Sequence, residues 1–216
     1  MKTKTRSCYS KSEIGFMDWF SEFKKNMFLP LLKLFKSAGI SPNTITLVSL
    51  ACGVLSGIFI FFRYLSAAVV FLILHLFLDG IDGTLAIYLK KRTFQGGIFD
   101  VTTDLIVLFF ITAGLTAINL MNPLLSLWFI FVYVSIVVIS VVRNQLKIPY
   151  KIVLRPRLLL YAFFLIYFIA NVNLFNMLLW VCNIIMSISF VSGTYAMLKG
   201  LKNIRRPAHP FKVFKK

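Results

Sequence analysis

The chain has little negative charge. Only seven of its 216 residues are acidic, against 24 lysines and arginines. From Phe23 onward four acidic side chains remain, and all of them lie in or beside strongly apolar stretches: Asp79, Asp82, Asp100 and Asp104. A carboxylate at membrane depth is costly unless it is paired, protonated or bound to a cation. These four acids therefore form the candidate functional site.

Cysteine is also scarce. Cys8, Cys52 and Cys182 are far apart, without the spacing that metal ligands show. Two of them lie in apolar stretches, where we expect small packing residues rather than ligands.

Apolar residues are in excess. They make up 59% of the chain, and the mean hydropathy is +0.84, whereas soluble domains are roughly 45–50% apolar. We therefore predict an all-α integral membrane protein. Runs of about 20 apolar residues indicate transmembrane helices, and they predict a six-helix bundle with spans at 43–62, 66–89, 96–116, 123–142, 153–170 and 174–197.

Three segments follow from this pattern. Residues 1–40 form a cytoplasmic segment whose apolar residues recur at helical spacing among lysines, which predicts an amphipathic interfacial helix interrupted near Pro30. A solvated or partner-bound helix is the alternative. Residues 41–200 form the six-span domain, and residues 201–216 form a basic cytoplasmic tail.

The basic residues predict the orientation. Short cytoplasmic loops hold most lysines and arginines, and only Arg63 falls in a loop that would face outward. Both termini and the acidic site are therefore expected on the cytoplasmic side. The basic residues flank the spans and no nucleic-acid motif accompanies them, so we expect contact with anionic membrane lipids and not with nucleic acid.

The acids are spaced so that each pair shares one helix face. Asp79 and Asp82 are an i,i+3 pair in the second span, and Asp100 and Asp104 are an i,i+4 pair in the third. The short link at about residues 90–95 makes the two spans antiparallel, so the two faces can meet. We therefore predict a compact oxygen-ligand site for a hard divalent metal, open towards the cytoplasm.

Glycines surround the acids at positions 80, 83, 96 and 97. A glycine within a helix costs about 1 kcal/mol relative to alanine. Close helix packing, flexible helix ends or an opening for a ligand would each explain these glycines. Gly83 and Gly96 lie beside the carboxylates, which favours an opening.

These residues form a motif. Asp79-x2-Asp82-Gly83-x2-Ala86, followed by Gly96-x3-Asp100-x3-Asp104, resembles the signature of the CDP-alcohol phosphatidyltransferase family, D-x2-D-G-x2-A-R-x8-G-x3-D-x3-D. Seven of its eight fixed positions agree. The six spans and Ser41-Pro42-Asn43 at the start of the first span are also similar to that family, so the resemblance covers roughly residues 40–200.

The resemblance implies a phospholipid-synthesising reaction in which the hydroxyl of a small polar alcohol displaces CMP from CDP-diacylglycerol. It implies two divalent ions, Mg²⁺ or Mn²⁺, bound by the four aspartates, with Asp104 also the general base. It further implies a homodimer. The positions implied to bind or make room for the nucleotide are Asn43, Thr46, Gly83, Ala86 and Gly96.

One position departs from the signature. Ile87 stands where the family has arginine, which removes a cation from beside the nucleotide. Lys91 lies four residues later, on the same face of a continuing helix, and is our candidate substitute. An altered donor or an inactive relative with an intact metal site is the alternative.

The sequence does not determine which alcohol is the acceptor. Arg143 and Lys147 are spaced i,i+4 and could hold the phosphate of an acceptor such as glycerol 3-phosphate or inositol phosphate, although the positive-inside rule alone explains their presence.

Other functions fit less of the chain. Ser41-Pro42-Asn43 is also similar to enzymes that transfer choline or ethanolamine phosphate from a CDP-alcohol to diacylglycerol. Intramembrane prenyltransferases use aspartate pairs with Mg²⁺, but on widely separated helices. A divalent-cation carrier would also need carboxylates, yet we find no internal repeat and the acids are off-centre.

Overall fold

The fold is entirely helical over the residues that the structure, a computed structural model, describes: 27–91, 93–145 and 156–205. No strand occurs within these ranges, which confirms the all-α membrane fold. Within these ranges there are seven helices: α1 (Leu29–Ser37), α2 (Pro42–Phe61), α3 (Leu65–Tyr88), α4 (Phe94–Ala117), α5 (Pro123–Gln145), α6 (Pro156–Ala170) and α7 (Phe175–Arg205).

Six of these helices overlap the six expected spans. Five of them, α2, α3, α4, α5 and α7, are long and apolar enough to cross a bilayer. The exception is α6, whose described part has only 15 residues. The first three positions of its expected span, 153–155, lie outside the described residues. The last helix, α7, has 31 residues and continues past its expected end at residue 197.

The short helix α1 attaches to the membrane helices through one apolar face. Pro30 lies in its first turn, where proline is tolerated because no intrahelical bond is lost. Leu32 is fully buried against Ile45 of α2 and against Ile81 and Leu85 of α3. Lys33 and Lys36 remain exposed, as expected for a helix at the membrane interface. The rest of the predicted amphipathic segment, residues 1–26, lies outside the described residues.

The chain divides into two compact units, and we describe each by itself. The first unit comprises residues up to 121 and residues 161–173, and the second comprises residues 122–160 and those from 174 onward. Within the second unit, α5 packs along α7. Two side chains of α7 connect it to α5: the Asn183 amide donates to the Leu125 carbonyl over 3.0 Å, and Ser187 accepts from Trp128 Nε1 over 3.1 Å.

In the first unit α2 is the central helix. It packs closely against both α3 and α4, whereas α3 and α4 have little backbone contact with each other in the part described. The contact between α2 and α4 depends on glycine. A Cβ atom at Gly57 would lie 2.6 Å from the backbone of Phe110, and one at Gly114 would lie 2.7 Å from the Gly57 carbonyl oxygen. Gly53 faces the side chain of Val107 in the same way. Small residues allow this close approach between membrane helices.

Substitution of Gly57 tests this packing. Gly57→Ala is expected to lower the unfolding temperature in detergent, because the added methyl group meets backbone and overpacking costs about 1–3 kcal/mol. The matched control is Gly80→Ala in α3, where a Cβ meets no described atom within 4 Å and where alanine is the better helix former. Equal effects of the two substitutions would contradict the packing role of Gly57.

Candidate functional site

Three of the four aspartates converge between α3 and α4. One carboxylate oxygen of Asp79, of Asp100 and of Asp104 can be chosen so that all three lie within 4.8 Å of one another, and all three side chains are half-buried. Oxygens on opposite sides of one Mg²⁺ are about 4 Å apart, twice the Mg–O distance. The three carboxylates are therefore close enough together to share a small divalent cation.

The turn between α3 and α4 makes this convergence possible. Lys90 adopts a left-handed conformation (φ 55°), and the Lys91 amide donates to the Ala86 carbonyl over 2.9 Å, which ends α3 at Tyr88. Thr93 then caps α4 by accepting from the Gly96 amide over 3.0 Å. The chain reverses within a few residues, so the acids near the end of α3 face those near the start of α4.

The glycines near the acids leave space. A Cβ added at Gly80, Gly83 or Gly97 would meet no described atom within 4 Å. Close packing within the described chain therefore does not explain them, and the opening for a ligand remains the better interpretation. Gly96 differs, because a Cβ there would lie 3.1 Å from Thr93 Oγ1 and 3.8 Å from Asn43 Oδ1. This places Asn43, which is exposed at the start of α2, next to the first turn of α4.

Asp82 is oriented differently from the other three acids. It is buried, with 5% of its surface exposed, and its Oδ2 accepts from the Thr46 hydroxyl over 2.6 Å. Its Oδ1 faces the Gly83 amide. Asp82 lies one turn after Asp79 on α3, but its carboxylate is not among the three that converge and instead has a partner on α2.

A second polar contact joins α2 to α3 one turn away. The Ser49 hydroxyl donates to the His75 carbonyl over 3.0 Å, and His75 Nδ1 lies 3.0 Å from the Ser49 carbonyl oxygen. His75 precedes Asp79 by one turn, so this contact fixes α2 against α3 beside the site. Sequence reasoning did not single out Ser49. A signal was available in the sequence, because small or hydroxyl side chains recur along one stripe of α2. The structure buries these residues: Thr46, Ser49, Gly53, Ser56 and Gly57.

The expectation for Lys91 was wrong in one respect. It assumed that α3 continues past Ile87 so that both residues share a helix face, but α3 ends at Tyr88. Lys91 instead follows the turn and is exposed. Ile87 is 46% exposed in the last turn of α3, and Ala86 beside it is half-buried.

The basic candidates belong to the second unit. Arg143, in the last turn of α5, is buried with 8% of its surface exposed, and Arg157 at the start of α6 is buried to the same extent. Arginine is seldom buried unless it has a partner. Lys147, the other candidate for the acceptor phosphate, lies outside the described residues.

Comparison with known proteins identifies relatives of this chain. The family model for CDP-alcohol phosphatidyltransferase matches residues 39–193. The inner membrane protein YnjF of Escherichia coli (strain K12) is 32% identical over 105 residues, which are 48% of this chain and 50% of that protein. The chain thus matches about half the length of this curated relative. Together with the five long apolar helices, these matches indicate a multi-pass integral membrane protein.

Proposed function

The chain belongs to the CDP-alcohol phosphatidyltransferase family, and on that premise we propose that it makes a phospholipid by letting a small polar alcohol displace CMP from CDP-diacylglycerol. The observation that carries this function is the convergence of Asp79, Asp100 and Asp104 among apolar helices. Carboxylates and a diphosphate are both negatively charged, so this group can bind such a substrate only through cations that lie between them.

Two divalent ions, Mg²⁺ or Mn²⁺, held by Asp79, Asp82, Asp100 and Asp104 would neutralise the diphosphate and stabilise the entering and leaving oxygens. Asp104 accepts the proton of the attacking hydroxyl. The new bond forms between that oxygen and the phosphorus that carries diacylglycerol, and the bond from this phosphorus to the oxygen of CMP breaks. The carboxylates also orient the reactants, which accounts for much of the rate in phosphoryl transfer.

The nucleotide occupies the space beside Gly83 and Ala86 in this proposal. No described atom lies within 4 Å of a Cβ at Gly83, so a flat ring could approach the backbone there. Asn43, beside Gly96, offers an amide to the nucleotide. Lys91 is exposed after the end of α3, in the spacer between the two halves of the signature, and offers a cation. Thr46 is already committed to Asp82 through its hydroxyl proton.

The acceptor is assigned only by class. Arg143 and Lys147 are the proposed ligands for the phosphate of a phosphorylated alcohol. An acceptor without phosphate, such as serine or inositol, needs neither residue. The homodimer expected from the family resemblance stays a prediction.

Release of CMP tests the reaction. Purified protein with Mg²⁺ or Mn²⁺ and CDP-diacylglycerol should release CMP with one of glycerol 3-phosphate, inositol phosphate, inositol, serine or choline. Chelation of the metal should abolish release. Asp104→Asn should lower the rate by at least about 100-fold, because general-base catalysis contributes that much.

If no acceptor in the panel gives CMP release, CDP-diacylglycerol is contradicted as the donor. Turnover of CDP-choline or CDP-ethanolamine with diacylglycerol would then identify the alternative transfer, for which the similarity of Ser41-Pro42-Asn43 is the supporting observation. No turnover of either donor would make the chain an inactive relative.

Lys91→Ala tests the source of the cation near the nucleotide. We expect a rise of about tenfold in the apparent KM for the CDP-linked donor, because a charge-assisted contact to phosphate is lost. Lys33→Ala is the control, since Lys33 is an exposed lysine on α1. An unchanged KM in Lys91→Ala would exclude this role.

The site is proposed to face the cytoplasm. In a variant without its three native cysteines, Arg63→Cys should react with a membrane-impermeant maleimide added outside the cell, and Lys91→Cys should react only after permeabilisation. Both positions are exposed in turns at opposite ends of α3. The reverse labelling pattern would invert the topology that the positive-inside rule predicts.

A further inference from the structure

Thr46 and Asp82 make one of the buried polar contacts between α2 and α3. The hydroxyl of Thr46 donates to Asp82 Oδ2 over 2.6 Å, a short hydrogen bond between two oxygens. Both side chains are buried, with 6% and 5% of their surfaces exposed. A weaker contact joins the same hydroxyl to the Pro42 carbonyl over 3.2 Å.

The backbone on both sides of this contact is held firmly. Ile45 precedes Thr46 and Ile81 precedes Asp82, and both isoleucines are buried in one cluster with Leu32 and Leu85. Three helices, α1, α2 and α3, contribute to that cluster. The donor and the acceptor are therefore positioned before any ligand arrives, so little ordering is needed to form the bond.

We propose that Thr46 is a positioning residue for Asp82 that fixes the orientation of this carboxylate so that it can join Asp79, Asp100 and Asp104 in binding a divalent cation. This rests on the metal-dependent function proposed above. One lone pair of Oδ2 is occupied by the hydroxyl, and the carboxylate can no longer rotate freely. Residues that orient metal ligands in this way contribute strongly to affinity, and their loss typically weakens metal binding 10–100-fold.

A direct contact between Thr46 and the nucleotide makes a different prediction. A residue that touches the nucleotide affects the KM of the CDP-linked donor at saturating metal. A residue that orients Asp82 affects the affinity for metal even when no nucleotide is present.

The test is Mn²⁺ binding to the full-length protein in detergent, measured by electron paramagnetic resonance without substrate. Thr46→Val removes the hydroxyl and keeps the shape, and we expect the Kd for Mn²⁺ to rise by at least tenfold. Thr46→Ser keeps the hydroxyl and should bind within about threefold of the parent. If Thr46→Val does not fold, Thr46→Ala removes the same hydroxyl with a smaller side chain.

A double variant checks that the effect passes through Asp82. In the Asp82→Asn background, Thr46→Val should not weaken Mn²⁺ binding further, because the carboxylate that it orients is gone. Unchanged Mn²⁺ affinity in Thr46→Val, equal losses in the valine and serine variants, or no Mn²⁺ binding by the parent would each overturn the inference. Mn²⁺ binding that depends on the hydroxyl, in a protein that releases no CMP, would uphold it and refute the proposed reaction.

Discussion

The cost of negative charge in apolar surroundings governs this structure. A carboxylate among membrane helices must find a cation, a proton or hydrogen bonds. Asp79, Asp100 and Asp104 share one location at a separation suited to a divalent ion, whereas Asp82 is buried and accepts from Thr46. The two arrangements are complementary. Three acids lie together in a half-buried position, and the fourth is held by a hydrogen bond from Thr46.

The helix that makes this arrangement possible carries no acid. Thr46 and Ser49 of α2 hydrogen-bond to α3, and Gly53 and Gly57 of the same helix admit α4. Because the backbones of α3 and α4 have little contact in the described part of the chain, we infer that α2 sets the distance between their carboxylates.

Much of this could be predicted from the sequence, because the signals are local. Hydropathy located the spans, and i,i+3 and i,i+4 spacing grouped the acids. The separate orientation of Asp82 could not be predicted, since it depends on Thr46, 36 residues earlier in the chain. The position of Lys91 was wrong because Lys90 ends α3 in a left-handed conformation without a glycine to signal it. Hydropathy also placed the end of α7 too early, because it detects the bilayer and not the end of a helix.

The length of α7 has a mechanical consequence. At about 1.5 Å per residue, a helix of 31 residues is about 46 Å long, whereas the hydrocarbon layer is about 30 Å thick. A helix that exceeds the hydrocarbon layer tilts or extends beyond it, and the end with exposed Lys199 and Lys202 is the one expected to extend. Lys199 and Lys202 belong to this continuous helix, so the helix, and not a flexible tail, fixes their distance from its membrane-spanning part.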